Sequence, residues 1–188
     1  MMWKRLFDLI VALVLILVIG PFLAVFIIVA AFDTRSKGIF QQLRVGQHGN
    51  LFQIYKLQTM YQGKDISRIG YFFRKYKIDE LPQLINVLKG EMSLVGPRPD
   101  ISGYYDLLSG NDRKLLELKP GITGLASLVY INEEEILAKQ SNPSKYNDDV
   151  IFPDKIKINL KYQSELSFFL DLKILWHTIF GGFPNLKN

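Results

Sequence analysis

The sequence predicts an α/β chain. A membrane-embedded helical anchor covers residues 1–35, and a small, compact mixed α/β body covers 36–188. Three observations carry this reading. From Leu9 to Phe32 no residue bears a charge, and nearly all are apolar. Between 39 and 55 two segments alternate apolar and polar side chains, which is the two-residue period of strands. From Glu165 to Phe183 apolar residues recur at helical spacing.

Composition narrows the chemistry. The apolar fraction of 48% can bury a sizeable core, and 22% charged residues argue against a disordered chain. There is no cysteine, which excludes disulfides, thiolate metal sites and a cysteine nucleophile. His48 and His177 are the only histidines, too few for a histidine-based zinc site. The net charge of +5 favours an anionic partner without saying which.

The anchor comes first. The uncharged run would make a helix of roughly 36 Å, against a hydrocarbon core about 30 Å thick. Gly20-Pro21 falls near its middle, and proline removes a backbone donor and clashes with the preceding turn. Each half would be roughly 18 Å long, too short to cross alone. Lys4 and Arg5 precede the run, while Arg35 and Lys37 follow it. The positive-inside tendency places both flanks on the cytoplasmic side. A helix that enters, breaks at Pro21 and returns satisfies both observations, and a kinked ordinary span is the alternative.

Residues 39–43 and 51–55 read as strands joined by a hairpin with Gly46, Gly49 and Asn50 in the turn. A polar stretch over 62–67 leads to Arg68–Lys77, where rings and cations interleave. That segment suits a helix in the lipid headgroup region, or a core helix with a solvated basic face. A helix starting near Pro82 and ending before Gly90 follows. Pro97-Arg98-Pro99 makes a stiff loop, and residues 120–124 make a turn-rich one. Residues 132–154 are polar and read as a short helix and a surface loop. The apolar C-terminal helix, with Trp176 and several phenylalanines, suits the water–membrane boundary or a buried packing face.

Dinucleotide, P-loop and zinc-protease signatures are absent, as are RNA-recognition aromatic motifs, so no nucleic-acid partner is expected. The polar residues in constrained settings are few. Asp79-Glu80 precedes Leu81-Pro82 at a helix start, where acidic residues usually act as caps. Arg68, Arg74, Lys75 and Lys77 lie just before the pair, and Arg98 lies soon after. Carboxylates with several arginines near a membrane suit a phosphate-bearing lipid substrate. Arginine forks phosphate oxygens, a carboxylate can hold Mg²⁺, and a carboxylate can attack phosphorus.

The run from Lys77 through Asp79-Glu80-Leu81-Pro82-Gln83 to Gly96-Pro97-Arg98-Pro99 resembles the signature of the bacterial sugar transferases, the monotopic phosphoglycosyl transferases. Arg44-Val45-Gly46, Phe52–Lys56, Thr59-Met60, Lys119–Ala126 and Leu170–Lys173 are similar to the family's other motifs, as are Lys4-Arg5, Asp8 and Pro21 in the anchor. Several long motifs in order make chance a poor explanation.

The resemblance implies a re-entrant helix broken at Pro21, amphipathic interfacial helices, and a catalytic body on the cytoplasmic face of the bacterial inner membrane. It implies transfer of a phospho-sugar from a UDP-sugar to polyprenyl (undecaprenyl) phosphate, with release of UMP. It implies Asp79 as the nucleophile of a covalent intermediate, Glu80 as the Mg²⁺ ligand, and Arg98 and Arg74 as phosphate-binding residues. Lys56 and Asp171 fall at motif positions expected to contact substrate. Gln58 departs from the pattern, where a basic residue is usual. With no run of spanning helices ahead of it, the chain resembles the minimal, catalytic-only form. The identity of the sugar stays open, and a homodimer is compatible with the sequence. The rival reading is a non-catalytic, membrane-anchored scaffold for polysaccharide assembly.

Overall fold

The computed structural model of the chain describes residues 2–61 and 65–181. Phe183 and the polar positions 62–64 lie outside them. The chain forms two compact units, residues 1–45 with 50–94 and residues 46–49 with 95–188. The apolar N-terminal segment falls in the first of them.

In the first unit, helix α1 runs from Met2 to Thr34 and is long and apolar enough to cross a membrane. Pro21 lies inside it, so the interruption expected there is not seen as a gap between two helices. A proline removes one backbone bond from the ladder, and the remaining bonds can carry the helix past it. Strands β1 (Ile39–Val45) and β2 (Leu51–Leu57) pair antiparallel with Ile39 opposite Leu57 and Val45 opposite Leu51. Each is two residues longer than its alternating pattern suggested. A second small hairpin, β3 (Met60–Tyr61) with β4 (Asp65–Ile66), leads into α2 (Arg68–Lys75).

Ser67 caps α2 by accepting the Gly70 amide on its hydroxyl, satisfying one orphan donor of the first turn. Helix α3 (Gln83–Lys89) begins after Pro82 and ends at Gly90 with φ 87°, the left-handed value glycine adopts without penalty. Leu23, Ala30, Leu57 and Phe73 form an apolar cluster in this unit, with Ile78 and Leu81 packed against it. Extended residues Ser93–Val95 (β5) carry the chain into the second unit.

There, residues 120–124 are more ordered than a loop. Gly121–Thr123 form strand β6, and the Gly96 amide donates to the Thr123 carbonyl at 2.9 Å. Helix α4 (Leu125–Val129) follows. The polar region expected to hold one short helix holds α5 (Glu133–Ala138), α6 (Pro143–Tyr146) and a wide turn over Asn147–Ile151. Short polar turns carry no apolar period, so the sequence pattern missed them. Helices α7 (Phe152–Ser164) and α8 (Phe168–Phe180) complete the unit. On α8, Ile174 is fully buried while Phe169, Trp176, Ile179 and Phe180 are exposed.

Candidate active site

The chain leaves α2 through Lys77, which holds a left-handed backbone (φ 56°, ψ 20°). A non-glycine residue there is strained, and such strain gathers at functional sites. A single 3₁₀ turn, Ile78–Glu80, comes next. In a 3₁₀ turn, residues three apart eclipse each other. Ile78 and Leu81 therefore share one side, and both pack on the apolar cluster. Asp79 and Glu80, between them, are directed elsewhere. Neither caps α3, because the N-cap position is Pro82 and no side-chain hydrogen bond is made there. Ordinary capping does not explain this acidic pair.

Both carboxylates are buried, at 7% and 6% exposure. Glu80 Oε1 accepts from Lys56 Nζ at 3.0 Å, a contact spanning 24 residues of sequence. Asp79 Oδ1 is buried with no hydrogen-bond partner. A buried, unpartnered carboxylate oxygen is costly, and its persistence calls for an explanation. Burial pushes the Asp79 carboxyl above its ordinary range, and neighbouring Glu80 pushes the same way. Lys56, Lys77 and Arg74 oppose both. Three cations thus act on a carboxylate pair, an arrangement suited to receiving a further anion.

Strand and helix hold these groups in place through Asn86, which is 0% exposed. Its Oδ1 accepts from the Tyr55 amide at 3.2 Å. Its Nδ2 donates to the Gln53 carbonyl and to Glu91 Oε2, both at 2.7 Å. Asn86 so ties α3, which follows Asp79-Glu80, to β2, which carries Lys56. Arg74 Nε donates to Thr59 Oγ1 at 2.9 Å. Gln58 turns its amide onto the Met60 carbonyl at 2.7 Å.

The structure therefore brings Asp79, Glu80, Lys56 and Arg74 together in the first unit. Arg98 and Asp171 belong to the second. Arg98 is exposed between buried Pro97 and Pro99. Its loop lies against β6, where the Gly121 amide donates to the Pro97 carbonyl at 2.8 Å. Asp171, 3% exposed, sits in the first turn of α8 and accepts from the Tyr162 hydroxyl at 2.7 Å. Lys77, Asn86 and Tyr162 were given no site role from the sequence. The left-handed backbone of Lys77 and the long-range bonds of the other two leave no local pattern to read.

The comparisons with known proteins agree with the resemblance. The family model described as bacterial sugar transferase matches residues 1–184. The chain is similar to the uncharacterized sugar transferase EpsL of Bacillus subtilis strain 168, with 37% identity covering 95% of this chain and 86% of that protein. It is similar to a UDP-glucose:undecaprenyl-phosphate glucose-1-phosphate transferase of Klebsiella pneumoniae, with 36% identity covering 98% of this chain. It spans 41% of that relative's length. A transferase of the same description from Caulobacter vibrioides is 31% identical over 94% of this chain and 68% of its own length.

Proposed function

Because the chain belongs to the bacterial sugar transferase family, we propose that it is a phosphoglycosyl transferase. It moves a sugar phosphate from a UDP-sugar to polyprenyl phosphate through a covalent intermediate on Asp79. The observation that carries this reading is Asp79 itself, a buried carboxylate with an unpartnered oxygen, on which Lys56, Lys77 and Arg74 act electrostatically. The relatives from Klebsiella and Caulobacter are named for a reaction on undecaprenyl phosphate, which supports the same acceptor here.

Both substrates carry negative phosphates, so their direct encounter is repulsive. An ionised Asp79 oxygen attacks the β-phosphorus of the UDP-sugar. The bond from that phosphorus to the bridging oxygen breaks, and UMP leaves. A phosphate oxygen of polyprenyl phosphate then attacks the same phosphorus. The bond to Asp79 breaks, which returns the carboxylate and forms the polyprenyl diphosphate sugar. Lys56, Lys77 and Arg74 offset the charge that builds on the transferred group. In the second unit we assign phosphate binding to exposed Arg98. Asp171, whose oxygen is already held by Tyr162, has a supporting role.

We assign Mg²⁺ to Glu80, whose second carboxylate oxygen is a hard donor beside the one that Lys56 holds. Among the described residues no cluster of three acidic or histidine side chains forms a cage of its own. An ion at Glu80 would complete its shell from phosphate and water, the usual habit of Mg²⁺. Bound there, it would screen the diphosphate charge.

The membrane helix is re-entrant in this reading, bending at Pro21. Two facts support it. Near its start, Arg5 donates to the Val87 and Leu88 carbonyls at 2.6 and 3.1 Å, and Asp8 accepts from Ser93 Oγ at 2.8 Å. Near its end, Leu23 and Ala30 pack with Phe73 and Leu57. One compact unit therefore holds both ends of α1, while no residue between 13 and 22 is buried. A straight helix of this length would extend roughly 50 Å and carry its ends to opposite membrane faces. The exposed rings of α2 and α8 would lie at the headgroups on the cytoplasmic side. Cysteine placed at residue 2 should resist a membrane-impermeant label applied from the periplasm. Labelling from that side would mean a full span.

The activity is tested by incubating the purified protein with Mg²⁺, polyprenyl phosphate and a panel of UDP-sugars. UMP release with ping-pong kinetics is expected, abolished by EDTA. No UMP from any donor would leave a scaffold as the reading.

A further inference from the structure

We infer that Thr59 is a positioning residue for Arg74, fixing the plane of its guanidinium so that its terminal nitrogens meet a substrate phosphate. The inference rests on the phosphate-transfer reading above. Arginine is a planar fork of five N–H donors, so fixing one donor orients the others. Here the fixed donor is Nε, held by Thr59 Oγ1 at 2.9 Å across 15 residues of sequence. The two terminal nitrogens carry the remaining four N–H groups, which is the bidentate face that matches a phosphate.

A positioning residue must itself be held, and Thr59 is held from both sides. It is 5% exposed. Its carbonyl accepts from the Ser67 amide at 3.0 Å. Ser67 is buried, and its hydroxyl accepts from the Gly70 amide at 2.8 Å. Gly70 lies so close that a Cβ there would stand 2.2 Å from the Thr59 carbonyl oxygen. The start of α2 is thereby pressed onto the residue whose hydroxyl meets Arg74 at the end of the same helix. On the other side, the Gln58 side chain is bonded to the Met60 carbonyl, closing the short link around Thr59. Gln58 stands where the resembled pattern has a base, and here it braces backbone.

The test uses UDP as the probe, since its diphosphate represents that of the donor and its binding can be measured without turnover. Thr59→Val keeps the shape of the side chain and removes the acceptor. It should weaken UDP binding about tenfold, while Thr59→Ser stays within about threefold of the parent. Arg74→Ala should weaken binding at least as much, and adding Thr59→Val to it should change nothing further. The kcat/KM for the UDP-sugar should fall in parallel in Thr59→Val and recover in Thr59→Ser.

Equal weakening by Thr59→Val with and without Arg74 would overturn the inference, because Thr59 would then act by another route. A loss that Thr59→Ser shares would do the same, as would UDP binding that ignores both residues in an enzyme that turns over. Absence of UMP release by the parent protein strikes the functional reading instead. The two failures are thus separable.

Discussion

Asp79→Asn lowers sugar-phosphate transfer by at least about 10³-fold, yet leaves a folded protein whose melting temperature equals or exceeds that of the parent. The first half follows from nucleophilic chemistry. An amide cannot form the bond to phosphorus, and no phospho-sugar adduct should accumulate on the variant. Intact mass measurement after incubation with a UDP-sugar alone should show that adduct on the parent enzyme. Near-parental turnover by Asp79→Asn would remove the residue from this role.

The second half follows from burial. Desolvation, reinforced by Glu80, raises the Asp79 carboxyl above its ordinary range against the pull of Lys56, Lys77 and Arg74. A carboxyl raised on folding binds its proton more tightly folded than unfolded. Its ionisation therefore costs stability fully above the folded pKa, and not at all below the unfolded one. Asparagine keeps the shape without that cost. The melting difference between variant and parent should accordingly shrink on acidification through this range. In the proposed mechanism activity runs the opposite way, because there only the ionised carboxylate attacks. Its acid limb should lie above the range of an ordinary aspartate. A limb at or below that range would contradict the assignment.

Gly121→Ala destabilises the second unit by about 3 kcal/mol. A Cβ at Gly121 would lie 2.1 Å from the Gly96 amide nitrogen and 2.7 Å from the Gly96 carbonyl oxygen. Gly124 faces the same glycine, and its Cβ would stand 2.1 Å from the Gly96 carbonyl oxygen. These neighbours are backbone and cannot swing aside. The requirement is one of space, since neither Gly121 nor Gly124 has a positive φ. The contact supports the Pro97-Arg98-Pro99 loop, so the residual folded variant should also lose activity. Gly20→Ala is the control, because its Cβ meets nothing within 4 Å. Thermal denaturation in detergent measures both variants. An unchanged melting temperature for Gly121→Ala would show that the Gly96 and Gly121 backbones can part without cost.

Much of this was readable from short-range pattern. The long apolar helix follows from an uncharged run, and β1 and β2 follow from alternation. Helix α3 follows from a proline at one end and a glycine at the other. Asp79 and Glu80 stand out as an acidic pair among cations, and only the structure shows that both are buried. These signals survive because each depends on neighbours a few residues away.

Other features have no such local trace. Lys56 meets Glu80, Arg74 meets Thr59, and Tyr162 meets Asp171 only when separate elements pack. Arg5 and Asp8 look like flanking charges of an anchor, yet both bond to a chain segment more than 80 residues away. The sequence offered a proline and two basic flanks as hints of a returning helix. The bonds at the start of α1 arise from packing, because a buried charge is tolerated only where distant groups converge to satisfy it. Periodicity tells which face of an element is apolar, and three-dimensional packing alone selects the partner that meets its polar groups.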